Sequence, residues 1–159
     1  MTRIAFIGLG NMGGGMAVNQ AKAQHSVKAF DLSAPALEKA SAAGCTAAPS
    51  VAEAVADAEV VITMLPAGPH VRQVYAEQIF PHAPKTALLI DCSTIDVESA
   101  RAVASQAREH GFRFADAPVS GGTAAAEAGT LAFMVGCDGA DFAEVEAAIG
   151  PMARVVMRA

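Results

Sequence analysis

An α/β fold with a doubly wound, mostly parallel sheet is predicted from three observations. Short β-branched or apolar runs alternate with longer Ala-rich helical stretches, a glycine cluster follows the first run at once, and an acidic residue closes the second. The strand-like runs are 3–7, 26–30, 60–63, 88–91 and 113–117, each short, and their alternation with helices means a parallel sheet covered on both faces. Between them the helical pattern covers 11–23, 34–43, 51–56, 69–75 and 96–110. Asp96 is placed to cap the last of these and Gly111 to stop it. Beyond the Gly- and Ala-rich stretch 118–129, a strand at 131–135, a helix at 140–149 and a strand at 154–157 are expected to finish the same sheet. The 159 residues read as one domain, with no repeat and no linker to a second.

The first strand runs directly into Gly8-Leu9-Gly10-Asn11-Met12-Gly13, and a helical pattern follows. A glycine cluster alone is common in turns, but strand and helix on either side give this one the setting of a Rossmann-type phosphate loop. Gly8 allows the tight turn, Gly10 lets backbone approach a diphosphate, and Gly13 lets the helix pack against the sheet. The helix start then presents free amides and a positive dipole end to the anion. Phe30-Asp31 ends the second strand about 20 residues beyond the glycines, where a carboxylate accepts from the adenosine ribose hydroxyls. Leu32 and Ser33 offer no cation for a 2′-phosphate and Asp31 would repel one, so NAD is expected rather than NADP. Asp31 is also readable as a solvated strand-end carboxylate or a helix cap.

Composition narrows the partners. With 11 Lys and Arg against 16 Asp and Glu, a formal charge of -5 gives no basic footprint for nucleic acid or an anionic membrane. Cys45, Cys92 and Cys137 are too few and too scattered for a disulfide framework or a metal site. No apolar run approaches the roughly 18 residues a membrane helix needs, and Met1 leads straight into a strand, so a small-molecule partner and a cytoplasmic location are expected. No GxSxG elbow supports a serine hydrolase built on Ser93 or Ser120.

Five segments in order, Ile7–Gly14, Phe30-Asp31-Leu32, Met64-Leu65-Pro66-Ala67-Gly68-Pro69-His70-Val71, Ile90–Asp96 and Asp116–Gly122, followed by Ala128-Gly129-Thr130-Leu131, resemble the 3-hydroxyisobutyrate dehydrogenase branch of the β-hydroxyacid dehydrogenases. The resemblance covers essentially the whole chain and implies hydride transfer between NAD and a short 3-hydroxy acid, such as the 3-hydroxyisobutyrate of valine breakdown. It implies that Leu65 and Pro66 lie near the cofactor, that Thr94 contacts the nicotinamide ribose, and that Ser120-Gly121-Gly122 binds the substrate carboxylate through freed amides and one hydroxyl. Read without the resemblance, Ser93 or Thr94 is an ordinary helix cap before Asp96, equally so for Thr94, and Ser120 is part of a Gly-rich turn.

Departures from the family pattern are Gly15 in place of a Pro, Gln20 and Gln24 in place of a Leu and a Gly, and Cys137 in place of a Gly. The resemblance also implies that the catalytic base, a Lys steadied by an Asn, sits on a helix following the last strand, ahead of an all-helical domain absent from this chain. No residue is assigned a catalytic role. Lys85, His25 and His110 are expected at the opposite edge of the sheet, and only His70 and Glu127 near the right loops. The chain is expected to bind NAD, to turn over poorly, and to self-associate through an apolar surface, its mean hydropathy being +0.36. Alternatives are a tartronate semialdehyde reductase-like enzyme and a non-catalytic nucleotide-binding or oligomerisation module.

Overall fold

The computed structural model describes residues 1–159. The chain runs β1 (Arg3–Ile7), α1 (Gly13–Lys22), β2 (Ser26–Phe30), α2 (Ala34–Ala42), β3 (Thr46–Ala47), α3 (Val51–Val55), β4 (Val60–Thr63) and α4 (Gly68–Val74). A π-helical turn (Tyr75–Ile79) and α5 (Phe80–His82) lead to β5 (Leu88–Asp91), α6 (Val97–Glu109) and β6 (Arg113–Asp116). Then come β7 (Val119–Ser120), α7 (Gly122–Ala128), β8 (Leu131–Val135), α8 (Phe142–Ile149) and β9 (Ala153–Arg158). The first six strands form one sheet in the order β3-β2-β1-β4-β5-β6, parallel throughout, which is the Rossmann-type doubly wound arrangement.

Strands buried on both faces explain the unbroken apolar runs. On β1, Ile4 and Phe6 join a core shared with Met16 and Ala17 of α1, while Ala5 and Ile7 join a second core with Val55 of α3, Val71 of α4 and Val103 of α6. Strands β4 and β5 alternate in the same way, Ile62 and Ile90 to one side, Val61 and Leu89 to the other.

Three local features depart from the sequence expectations. The helix expected over 69–75 begins at Gly68 and does not end at Tyr75 but widens into the π turn, which carries the chain on to His82 across Pro81. The two-residue edge strand β3 and the short helix α7 carry too little apolar periodicity to be read from sequence. Gln24, the position where the family pattern has Gly, is the single non-glycine residue with positive φ, at 72°. It sits just past α1, with Gln24 N donating to Ala21 O and His25 N to Gln20 O, the hydrogen-bond pattern of a Schellman cap.

The last strands do not finish the main sheet, contrary to expectation, but form a second one, β7-β8-β9, with β7 antiparallel to β8 and β8 parallel to β9. Chain geometry explains the separation. Pro118 has no amide with which to extend β6, and Gly121 and Gly122, at φ +137° and +78°, turn the chain sharply before α7. The two sheets are stitched by one reciprocal pair, Asp116 N to Gly136 O at 2.9 Å and Gly136 N to Asp116 O at 2.7 Å. Helix α1 lies in the core they share, with Leu131, Phe133 and Ile149 packed in the same cluster as Met16. One face of the second sheet leaves Met134, Val155 and Met157 exposed, and register pairs Met134 with Met157.

Candidate functional site

Strand β1 pairs with both β2 and β4, so the strand order reverses there and the connections leave the carboxyl edge in opposite directions. Such a reversal opens a crevice outside the strand ends. A cleft of about 840 Å³ lies at this place, floored by the loop after β1 and walled by the segments after β2, β4 and β5. Its lining includes Gly8, Gly10, Asn11, Met12 and Gly13, then Asp31, then Leu65 and Pro66, then Thr94.

Backbone accounts for the cleft's affinity for an anion. The amides of Gly10, Asn11, Met12 and Gly13 donate to no acceptor within the protein. Helix α1 has neither a capping side chain nor an acidic residue in its first turn, whereas Ser33, Ser50 and Asp96 cap α2, α3 and α6. A ten-residue helix thus presents an open positive end to the cleft. The glycines divide by cause. A Cβ on Gly8 would overlap the Met64 carbonyl oxygen and one on Gly13 the Gly8 carbonyl oxygen, so the fold itself requires both. A Cβ on Gly10 would meet no atom within 4 Å, and φ there is not positive. The fold leaves Gly10 free and only the space above it is at stake.

Leu9 does not line the cleft. Its side chain is buried in the core below α1, and its amide donates to Asp31 Oδ2 at 2.6 Å. Asp31 Oδ1 accepts from Ser33 N at 2.8 Å, so the carboxylate straps the glycine loop to the end of β2 while keeping free lone pairs toward the cleft. No Lys or Arg lines the cleft, and Glu77 adds a second carboxylate to its wall.

His70 lines that wall, as expected, whereas Glu127 does not; sequence reasoning missed the rest of it. Gln73, Val74, Glu77 and Gln78 join His70 in the cleft from α4 and the π turn, and Pro49, Ser50 and Val51 close the side beyond β2. A π turn inside a helix re-aims its side chains and is frequent at binding sites. Ser120, at the end of β7, and Gly121 and Gly122, at the turn into α7, lie outside the cleft lining and are exposed, beyond the carboxyl end of β6. Lys85, whose Nζ donates to His110 O, and His25, whose Nδ1 accepts from Thr2 N, stand at the opposite edge as expected.

Beneath the cleft lies a polar network that is buried and has no cation. Asp91, 1% exposed at the end of β5, accepts at Oδ1 from Thr63 Oγ1 at 2.8 Å and from Ser93 Oγ at 2.7 Å. Tyr75 OH lies 2.8 Å from the Thr63 hydroxyl, and Leu65 N donates to Ser93 Oγ at 2.7 Å. Burial pushes the Asp91 carboxyl above its usual range, against the pull of the Ser93 and Thr63 bonds. Asp116, its register partner on β6, is pushed up to about 6 by burial and then by the charge of Asp91.

Known proteins place this geometry. The family model described as the NAD binding domain of 6-phosphogluconate dehydrogenase matches residues 3–159. The chain is 50% identical over 140 residues to the NAD-dependent L-serine dehydrogenase of Pseudomonas aeruginosa, covering 87% of this chain and 47% of that protein. It is 46% identical over 161 residues to a 3-hydroxyisobutyrate dehydrogenase of the same bacterium, covering 100% and 54%. The solved Mycobacterium tuberculosis 3-hydroxyisobutyrate dehydrogenase with L-serine superposes with a TM-score of 0.97 at 46% identity, over 99% of this chain and 54% of that one. These relatives bear out the resemblance read from the five segments, and the chain spans about half the length of the curated relatives it matches. Since the family match runs from β1 through both sheets to the last residue, the chain belongs to the family of the NAD binding domain of 6-phosphogluconate dehydrogenase.

Proposed function

We propose that this chain is the NAD-holding half of a dehydrogenase that moves hydride between NAD and a short 3-hydroxy acid, with 3-hydroxyisobutyrate as the leading substrate. The observation that carries the cofactor part is the row of four undonated amides, Gly10 to Gly13, facing a cleft at the strand-order reversal. A bound diphosphate would give each of these amides the acceptor it lacks. Asp31 and Glu77, with no cation beside them, favour a free ribose 2′-hydroxyl over a 2′-phosphate. When bound, NAD supplies the hydride acceptor, and the role of these residues is to hold it. Leu65, Pro66 and Thr94 flank the half of the cleft beyond β4 and β5, and Ser120 with the amides of Gly121 and Gly122 offers a carboxylate site at the same sheet edge.

L-Serine is a second substrate reading, favoured by the 50% identity to the P. aeruginosa L-serine dehydrogenase and by the L-serine in the M. tuberculosis structure. It too is a 3-hydroxy acid, so both readings use the same carboxylate site. No lysine lines the cleft, and Asp31, His70 and Glu77 are its lining groups able to take a hydroxyl proton. These 159 residues are therefore expected to bind NAD and to oxidise substrate at a rate reduced about 10²- to 10⁴-fold. Exposed Met134, Val155 and Met157 support self-association, which light scattering would register as a mass above the monomer's 16.1 kDa. The deciding experiment is calorimetric titration of the purified chain with NADH and with NADPH. Saturable binding with NADH preferred is expected; binding of neither overturns the cofactor reading.

A further inference from the structure

The buried network beneath the cleft has a direction. A hydroxyl has one proton to give, and both Thr63 and Ser93 direct theirs at Asp91 Oδ1. Thr63 Oγ1 then accepts from Tyr75, and Ser93 Oγ accepts from Leu65 N. Two chains of donors therefore converge on one carboxylate, one starting in the core at Tyr75 and the other at the cleft at Leu65. Ser93 N donates to the same Oδ1 at 3.2 Å, which closes a tight loop at the end of β5 and fixes the direction in which Thr94 leaves. Leu65 and Thr94 both line the cleft, on the half served by β4 and β5, and they share no direct bond with each other. Their spacing is set through Ser93 and Asp91.

An apolar residue at 91 would fill the same buried space with less cost of desolvation, since no cation offsets a carboxylate there. What the carboxylate supplies instead is acceptors for loop groups at the cleft. On the NAD-binding reading above, we infer that Asp91, acting through the Ser93 hydroxyl, is a positioning residue for the nicotinamide half of the cofactor: it holds the Leu65 backbone and the Thr94 loop at the separation that half of the cleft needs. Asp31, at the adenosine half, bonds to Leu9 N and Ser33 N and shares no hydrogen bond with the Ser93 branch of this network.

The test separates the two halves of the ligand. NADH and ADP-ribose share adenosine and diphosphate, and only NADH carries the nicotinamide ring. Ser93→Ala removes the link between Leu65 and Asp91 while leaving the Thr63 bond in place, and Asp91→Asn keeps an oxygen acceptor. Calorimetry on the full chain should show Ser93→Ala weakening NADH about tenfold, the weight of one hydrogen bond, with ADP-ribose affinity held within about twofold. Ser93→Thr, which keeps the hydroxyl, should restore NADH binding, and Asp91→Asn should fall between Ser93→Ala and the unmodified chain. Equal losses for both ligands, or an unchanged NADH affinity in Ser93→Ala, overturn the positioning role. An unmodified chain that binds neither ligand overturns the NAD reading and this role with it.

Discussion

Replacing Gly10 by Ala separates what the fold needs from what the ligand needs. A methyl there meets no protein atom within 4 Å and the backbone is not left-handed, so the folded state accepts it. The unfolded chain meanwhile loses freedom, and stability should rise by about 0.4–1 kcal/mol. Binding should respond in the opposite sense. The methyl occupies the space above the amides of Gly10 to Gly13, and pushing a diphosphate outward breaks its bonds to at least two of them. Each such bond to a charged group is worth about 1.5–3 kcal/mol, so the loss is at least about 3 kcal/mol, or more than about 100-fold in Kd. Gly13→Ala makes the opposite control, since its methyl overlaps the Gly8 carbonyl oxygen and should cost about 1–3 kcal/mol of stability or more. Urea denaturation gives the stabilities and NADH titration the affinities. A Gly10→Ala chain that binds NADH as the unmodified chain does would refute the cradle, and one that is clearly destabilised would refute the division of the glycines.

Gln24→Gly should stabilise the chain by about 0.5–1 kcal/mol in urea, because relief of a left-handed backbone exceeds glycine's entropic cost. Thr63→Val should cost about 2–5 kcal/mol, since it strands the buried Tyr75 hydroxyl and takes a donor from Asp91. Tyr75→Phe leaves the Thr63 donor in place and, for the hydrogen bond alone, should cost only about 0.5–1.5 kcal/mol, so equal losses would contradict the direction of the chain. Asp116 holds its proton more tightly folded than unfolded. Its contribution to stability is therefore complete below the ordinary Asp range and is lost as pH rises through about 6. Comparison of urea midpoints between pH 4 and 7 should show the unmodified chain losing ground to Asp116→Asn as pH rises.

Most of the main sheet was legible because its strands are buried on both faces and leave continuous apolar runs, as at Val60–Thr63 and Leu88–Asp91. The glycine loop was legible because its demands are local: Gly8 and Gly13 answer to carbonyl groups a few residues or one strand away. What sequence missed arises from contacts with no local period. The side chains of α4 and the π turn reach the cleft only because Tyr75 is drawn inward to Thr63, 12 residues earlier, and neither residue signals this alone. Leu9 reads like its neighbours in the loop, yet the strap from Asp31 takes its amide and the core takes its side chain. Ser93 reads as a cap for the next helix, a role that Asp96 fills, while its hydroxyl serves Leu65 instead. The second sheet was misplaced because strand patterns report burial and length but not which edge a strand joins.

The seating of α1 between the two sheets bears on the order in which the protein can be made. Asn19 Nδ2 donates to Ala126 O and Gln20 Nε2 to Ala148 O, each at 2.8 Å, and these partners come 107 and 128 residues later in the chain. At roughly 5–20 residues per second, a ribosome needs on the order of ten seconds to deliver them. The helix itself forms and melts within microseconds. Helix α1, which carries the phosphate loop, is thus locked late: its side toward β1 can pack on Ile4 and Phe6 early, but the side that takes Leu131, Phe133 and Ile149 stays uncovered until β8 and α8 arrive. A nascent chain paused near residue 120 would display that face to chaperones, and release of the pause would close it.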